Sequence, residues 1–224
     1  MDIGPYLPFW GALTREQQEI LAQAVVERVF PKGTLVSGGE ADCTGLVLPL
    51  TGQLRAYLLT EEGKELTLYR LFPGDLCLFS ASCAMRGIQF DVMVEAQQDT
   101  RALLLPGPVY QSLMDSSIPV AGFTNQLMAG RFSDVMWLME QILSKKLDSR
   151  LAALLVEEGR LAGGEELSLT HDQIARHLGS AREVVTRMLK YLQAEGLVRL
   201  GRGGVRLLDR AGLERLAKDS LRER

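Results

Sequence analysis

The order of apolar and polar positions changes its period several times along the chain. Residues 13–29 begin with a Thr14 cap and carry apolar residues at helical spacing, which predicts a covering helix. Between residues 30 and 105, six short β-rich runs are separated by glycine-containing turns: TLVS, LVLPL, QLRAYLL, ELTLYRL, FDVMVEA and TRALLL. Many short strands with turns at close spacing predict a small antiparallel barrel or jelly roll.

Helical period returns in residues 109–143. Proline is tolerated only near a helix start, so Pro119 places the beginning of a long helix that runs to about Leu143. Along it, apolar residues spaced by four, three, four and three positions form a seam typical of a coiled coil: Met128, Phe132, Val135, Met139 and Ile142. The seam predicts a homodimer. The alternative is packing on the chain's own barrel, which the off-seam residues Trp137, Leu138 and Leu143 could serve instead.

A further helical pattern covers residues 145–161, and two helix starts follow within residues 170–190, THDQIARHLGSAREVVTRMLK. Thr170 with Gln173, and Ser180 with Glu183, each fit a capping box. Gly179 between them tolerates the positive φ that a tight turn needs. Two short capped helices around such a turn predict a helix-turn-helix.

Two alternating runs, LVRL and VRLL, follow around the glycine-rich stretch 201–204 and predict a β-hairpin. Arg199, Arg202 and Arg206 would let this hairpin contact phosphates as a wing. The C-terminal part is therefore predicted to be a winged helix-turn-helix.

The second helix of this motif has two different faces. One is apolar, and the other collects Arg182, Glu183, Thr186, Arg187 and Lys190. Arginine bonds bidentately to guanine in a major groove and glutamate accepts from the cytosine amino group, so this face predicts base recognition. The alternative is that Glu183 only caps the helix and the arginines form a solvated surface.

Charge supports the first interpretation once it is divided along the chain. The net formal charge of −3 separates into −5 for residues 1–147 and +2 for residues 148–224. Positive residues concentrate on the helix-turn-helix and the hairpin, as a phosphate-binding surface requires. The predicted phosphate contacts are Thr170, Ser180, Lys190, Arg199 and Arg202.

Composition bounds the remaining possibilities. A chain of 224 residues with 46% hydrophobic content is long enough for two modest domains. No apolar run approaches the roughly 20 residues of a membrane span, and the N-terminus does not resemble a signal peptide, so we expect a cytoplasmic protein without a membrane partner. No nucleophile–base pair, phosphate loop or metal cluster is visible, which argues against an enzyme.

A β-rich domain, a long helix and a winged helix-turn-helix, in this order, resemble the Crp/Fnr family of bacterial transcription regulators over nearly the whole chain. The strongest portion is LTHDQIARHLGSAREVVTRMLKYLQAEGLVRL, which is similar to the DNA-binding signature of the family. The resemblance implies an α+β fold with an N-terminal double-stranded β-helix (jelly-roll) sensor domain. The expected domains are the barrel at 1–117, the dimerisation helix at 118–144 and the winged helix-turn-helix at 145–224.

The resemblance also implies the functional partners. In the family, positions matching Arg182, Glu183 and Arg187 recognise half-site bases, which implies a half-site of the TGTGA or TTGA kind. Thr186 stands where relatives carry glycine or serine, which leaves the first bases open. The implied partners are a second copy of the chain, palindromic double-stranded operator DNA and RNA polymerase.

The resemblance is weakest where the family binds its effectors. Cyclic-AMP binders carry Gly-Glu-Leu followed by an arginine motif for the phosphate, whereas residues 74–79 are GDLCLF and Phe90-Asp91-Val92 lies where the arginine is needed. Arg86 substitutes poorly by position. A buried phosphate without a paired cation is costly, so the sequence argues against cyclic AMP.

Metal cofactors are disfavoured as well. Iron–sulfur sensors of the family use several N-terminal cysteines, which are missing here, although Cys77 matches the cysteine that carbon-monoxide sensors use for haem. Phe79 replaces the histidine of that haem site, and both histidines, His171 and His177, belong to the helix-turn-helix. No metal site is therefore predicted.

A candidate effector pocket remains in the barrel, lined by Leu76, Cys77, Phe79, Cys83 and Arg86. It would suit a small apolar or aromatic ligand, or none. Cys77 and Cys83 could form a redox pair, but the favoured interpretation is two buried apolar residues. The alternative function is a ligand- or protein-binding module whose active part is the barrel.

Overall fold

The computed structural model describes residues 3–38, 45–80, 92–218 and 220. The chain forms two compact units. The first contains Met1–Leu59 and Leu68–Val135, and the second contains Thr60–Thr67 and Met136–Arg224. In the described part of the chain, no helix combines the length and the apolar character needed to cross a membrane.

The first unit begins with two 3₁₀ turns, Gly4–Tyr6 and Trp10–Ala12, and helix α1, Arg15–Ala24. Thr14 caps α1 as predicted, because its Oγ1 accepts from the Gln17 backbone N–H at 3.2 Å and Gln17 Oε1 accepts from the Thr14 N–H at 3.0 Å. The predicted extent of this helix, residues 13–29, is wrong, because the chain becomes extended at Val25. Strand β1, Val26–Phe30, follows and pairs with a later strand.

Two antiparallel sheets make up the rest of the β-structure of this unit. One sheet has the order β1-β7-β3, with β3 at Leu46–Pro49 and β7 at Thr100–Leu105. The other has the order β2-β6-β4-β5, formed by Leu35–Ser37, Met93–Ala96, Leu54–Leu59 and Glu65–Leu71 respectively. The six strands predicted from the short β-rich runs are thus present, and β1 is a seventh that the sequence pattern had assigned to a helix.

Buried leucines from β3 and β7 contribute to the core of the first unit, among them Leu46, Leu48, Leu103 and Leu105. Helix α2, Gly107–Ser116, packs on this core through Tyr110, which is fully buried. The Tyr110 hydroxyl lies 2.7 Å from Thr124 Oγ1, so its burial leaves no unsatisfied polar atom. Thr124 belongs to α3, Ile118–Ser144, the long helix that the sequence predicts.

The second unit is built on helices α4 (Leu147–Ala162), α5 (His171–Leu178), α6 (Arg182–Ala194) and α7 (Arg210–Leu216). A small sheet, in the order β8-β10-β9, comprises Glu166–Leu167, Gly204–Leu207 and Val198–Gly201. One apolar cluster joins helices and sheet, with fully buried side chains from each: Leu151, Leu155, Ile174, Val185, Leu189, Val198 and Leu213. This packing fixes the orientation of α5 and α6 within the second unit.

Candidate nucleic-acid interface

Helix α5 starts at the capping box that the sequence predicts. Thr170 Oγ1 accepts from the Gln173 N–H at 3.2 Å, and Gln173 Oε1 accepts from the Thr170 N–H at 2.8 Å. These bonds satisfy two backbone donors that a helix start would otherwise leave unpaired. Ile174, Ala175 and Leu178 are buried, so the opposite side of α5 faces outward.

Gly179 ends α5 in the left-handed conformation, with φ of +63°. The Ser180 N–H then bonds to the Ala175 carbonyl at 3.0 Å, which closes the turn. Helix α6 begins only after Ala181, which has extended backbone angles and no side-chain cap. The predicted second capping box of Ser180 with Glu183 is therefore wrong, because Ser180 lies one residue before the N-cap position.

Helix α6 is amphipathic in the way that the sequence predicts. Its residues Val185, Leu189 and Leu192 are fully buried in the core of the second unit. The opposite side forms a shallow surface concavity that we call the α6 face, lined by Arg182, Glu183, Thr186, Arg187 and Lys190. These are the five residues that the helical period placed together.

The cations of the α6 face are available to a ligand. Arg182, Arg187 and Lys190 are exposed, and within the described parts of the chain none of them lies in an ion pair. Glu183 is also exposed and supplies the one carboxylate of this face. A concave surface with three unneutralised cations suits a polyanion.

His171 contacts this face from the start of α5, which the sequence analysis did not predict. Its Nδ1 lies 2.9 Å from Thr186 Oγ1. Partial burial, and then the charges of Arg182 and Lys190, lower the pKa of His171 from its ordinary value. A pair separated by 15 positions depends on how two helices cross, so no local sequence signal could have found it.

Strands β9 and β10 form the predicted antiparallel hairpin, with Gly201 opposite Gly204. Arg202 and Gly203 make its turn, and Gly203 has φ of +79°. Arg199 and Arg202 are exposed. Arg206 differs, because its Nε lies 3.3 Å from Glu166 Oε1 in a solvent-exposed ion pair, so part of its charge is offset.

Two other arginines near α5 serve the structure of the unit. Arg176 lies 2.9 Å from Asp172 and 3.6 Å from Glu65. Arg150 Nη2 donates to the Leu178 carbonyl at 2.8 Å, which satisfies an acceptor at the C-terminal end of α5. The basic cluster expected from the sequence is therefore partly neutralised within the protein at Arg176.

The candidate effector residues lie in the first unit. Leu76, Cys77 and Phe79 are buried and pack in three different clusters of side chains. Burial raises the pKa of the Cys77 thiol, despite hydrogen bonding from Ser80. Cys83 and Arg86, the other predicted pocket residues, lie outside the described residues, so the pocket as a whole stays a prediction.

The Tyr69 side chain lies beside these residues. The centroids of the Tyr69 and Phe79 rings lie 6.0 Å apart, with the two ring planes tilted by 41°. The Arg131 guanidinium carbon lies 4.3 Å from the centroid of the Tyr69 ring. Burial, and then the neighbouring Cys77, raise the pKa of Tyr69 well above its usual range. Among the described residues, no cluster of three or more histidine, cysteine or acidic side chains has the arrangement of a metal site.

Comparison with known proteins identifies a domain of known type in each half of the chain. Residues 149–216 match the family model of a Crp-like helix-turn-helix domain, and residues 27–117 match that of a cyclic nucleotide-binding domain. The chain is 35% identical over 176 residues to the transcriptional regulator SdrP of Thermus thermophilus, covering 75% of this chain and 82% of SdrP. It is 27% identical over 210 residues to the cyclic AMP receptor protein of the same organism, covering 94% and 96% of the two chains.

A crystal structure from Eubacterium rectale ATCC 33656, described as a transcriptional regulator of the Crp/Fnr family, is similar over almost its full length. The TM-score is 0.94 and the identity 51%, covering 96% of this chain and 99% of that one. An N-terminal sheet domain followed by a helix-turn-helix with an exposed cationic face defines a DNA-binding transcription regulator. The chain belongs to the Crp/Fnr family of such regulators.

Proposed function

We propose that this regulator binds a palindromic operator as a homodimer, through the α6 face, under the control of a small effector or a redox signal in the sheet domain. The observation that carries the proposal is the α6 face itself, which presents three exposed cations and one carboxylate on a single concave surface. RNA polymerase and a cytoplasmic location enter the proposal through the family.

Base recognition is assigned to Arg182, Glu183, Thr186 and Arg187. The two arginines would bond to guanine edges, and Glu183 would accept from a cytosine amino group. All four residues line the same concavity, and the buried residues of α6 hold that side away from the core. Recognition from one rigid helix fits the insertion of α6 into a major groove.

Phosphate contacts are assigned to five residues around the α6 face: Thr170, Ser180, Lys190, Arg199 and Arg202. Thr170 lies at the start of α5, whose free N–H groups favour an anion. Arg199 and Arg202 lie on the hairpin, where their exposed side chains carry no ion pair among the described residues. The hairpin would then act as a wing that binds every sequence alike.

Dimerisation is assigned to the seam along α3. Phe132 is 67% exposed, Met139 48% and Ile142 39%, values that leave large apolar side chains in water. Val135 is half-buried, and Met128 packs partly on apolar clusters of its own unit. Leu143, an off-seam residue that was expected to be available for packing on the chain's own barrel, is 79% exposed. A second α3 along the heptad positions would cover the seam.

The proposed domain limits are 1–117 for the sensor domain, 118–144 for the dimerisation helix and 145–224 for the DNA-binding domain. Two observations support them. The matched family models cover residues 27–117 and 149–216, and the long helix lies between them at Ile118–Ser144.

The effector is assigned to the predicted pocket of Leu76, Cys77, Phe79, Cys83 and Arg86, and its chemistry is that of a small apolar or aromatic molecule or a redox signal. The buried apolar character of Leu76 and Phe79 supports an apolar ligand. Cyclic AMP fits poorly, because an anionic phosphate needs a paired cation and residues 74–79, GDLCLF, offer none. The sequence argues against haem and an iron–sulfur cluster, so neither is part of the proposed effector chemistry.

One pair of variants tests the DNA-binding proposal. Arg187→Ala should reduce affinity chiefly for duplexes with the native base at one half-site position, by about tenfold or more, since a bidentate arginine–guanine contact is lost. Arg202→Ala should weaken binding to all duplexes alike and lower the salt dependence by about one phosphate contact per protomer. Fluorescence anisotropy with single-base-substituted duplexes measures both. An unchanged base profile in Arg187→Ala would contradict the proposed recognition.

A further inference from the structure

Within the α6 face, the Thr186 side chain is hydrogen-bonded to a residue of helix α5. His171 is the first residue of α5, and the Thr170 capping box fixes the position of its backbone. Its Nδ1 lies 2.9 Å from Thr186 Oγ1, and Thr186 is one of the residues that line the concavity. Among the described residues, the Thr186 hydroxyl has no second hydrogen-bond partner within the protein.

The chemistry of this pair has two states. A hydroxyl carries one proton and two acceptor lone pairs, and a neutral imidazole has one donor and one acceptor nitrogen. When Nδ1 accepts, the hydroxyl proton is used and Thr186 offers only lone pairs to a ligand. When the ring is protonated, Nδ1 must donate, and the hydroxyl proton becomes free for the ligand.

The groups around the ring favour its neutral form in the free protein. Arg182 and Lys190 face it from α6, and together with partial burial they lower the pKa of His171. On its own helix, the neighbouring carboxylate of Asp172 lies 2.9 Å from Arg176 and is occupied there. In the neutral tautomer that carries its proton on Nε2, Nδ1 accepts from the Thr186 hydroxyl.

We propose that His171 is a positioning residue that sets, through Nδ1, whether the Thr186 hydroxyl donates or accepts, and thereby sets the preferred base at the half-site position facing Thr186. This inference rests on the DNA-binding function proposed above. With the hydroxyl as acceptor, the favoured partners are the amino groups of adenine and cytosine. With the hydroxyl as donor, they are the acceptor edges of guanine and thymine.

Three single variants separate this role from a phosphate contact. Asparagine places its amide near the position of Nδ1, and glutamine places it near that of Nε2. His171→Asn should therefore keep the wild-type base profile, whereas His171→Gln should change the profile at the same half-site position as Thr186→Val. Each change should be about threefold to tenfold, the range of one hydrogen bond. The double variant of His171→Gln and Thr186→Val should show no larger change than either single variant.

The probe is a palindromic duplex selected by the wild-type protein from a randomised pool, with every half-site base then substituted in turn. Binding is measured by fluorescence anisotropy at pH 8 and pH 5.5, and circular dichroism confirms that each variant is folded. Between these pH values the wild-type preference should shift from adenine or cytosine toward guanine or thymine at one position. His171→Asn, which keeps His177, should show no such shift.

Two outcomes would overturn the inference. In one, His171→Gln weakens binding equally for all four bases and Thr186→Val leaves the profile unchanged, which would make His171 a phosphate contact. In the other, the wild-type preference at that position is the same at both pH values although NMR of the His171 ring shows that it is protonated at the lower one. A wild-type protein that selects no sequence at all is a different result, because it would reject the DNA-binding function together with this inference.

Discussion

Gly179 shows at the scale of one residue how the helix-turn-helix depends on its sequence. Its φ of +63° is one that a side chain adopts at a cost of roughly 1–2 kcal/mol. A Cβ on Gly179 would also lie 3.0 Å from Leu66 Cδ1, so Leu66 would have to shift. The sequence identified this glycine correctly, because the turn chemistry of a helix end is local.

Gly163 provides a matched control for a substitution at Gly179. Gly179→Ala should lower the free energy of unfolding by more than Gly163→Ala, because Gly163 has nearly the same φ, +65°, but nothing within 4 Å of an added Cβ. Gly163→Ala should cost about 1 kcal/mol from backbone strain alone. Urea denaturation measures both variants, and an equal loss would show that Leu66 yields without cost.

Cys77 gives a second prediction at this scale, which bears on redox sensing. Because burial raises the pKa of its thiol, the thiolate is scarce at pH 8 and the sulfur is inaccessible. Iodoacetamide should alkylate Cys77 in the native protein about 1000-fold or more slowly than in urea, since only opened molecules react. Peptide mass spectrometry reports the site. Fast labelling of native Cys77 would instead favour a redox role for it.

The contact between His171 and Thr186 could not be predicted from the sequence. Thr170, Gln173 and Gly179 were predictable because each acts on residues within one turn of itself. The His171–Thr186 pair is produced by the crossing of α5 and α6, which depends on the packing of the whole second unit. The apolar period of a single helix contains no information about a contact between two helices.

At the scale of elements, strand β1 and the start of α6 are the two places where the predicted helix boundaries are wrong. The helical spacing of residues 13–24 continues weakly into VVERVF, but its β-branched residues pair with β7, and Glu27 forms an ion pair at 2.7 Å with Arg101 of that strand. Ser180 resembles a cap, yet the turn after Gly179 needs one more extended residue, which is Ala181. Tertiary pairing and turn length decided both boundaries.

The α3 seam gives the prediction at this scale. Phe132→Glu should shift the protein from dimer to monomer, because it places a charge in an interface formed by apolar heptad positions. Leu143→Glu is the matched control: Leu143 is more exposed, at 79% against 67%, but lies off the seam. Sedimentation equilibrium measures the mass of both variants. If both remain dimers, or both dissociate, the seam is assigned incorrectly.

At the scale of the whole molecule, the formal charge divides into −5 for residues 1–147 and +2 for residues 148–224. The family, the fold and the α6 face could be predicted from the sequence, because binary patterning, glycine turns and charge all indicated the same architecture. The effector could not, since a pocket is a property of packed strands, and Leu76, Cys77 and Phe79 lie in separate clusters. Buried apolar residues carry little information about which ligand they contact.

Selection of DNA from a randomised duplex pool tests the central claim most directly. The purified full-length protein should recover a palindrome whose half-sites lie about one helical turn apart, because two copies of α6 related by a two-fold axis bind successive major grooves on one side of the duplex. Arg187→Ala should lose one conserved base pair in each half-site. Recovery of no enriched motif, or of a single asymmetric half-site, would contradict a homodimeric, sequence-specific regulator.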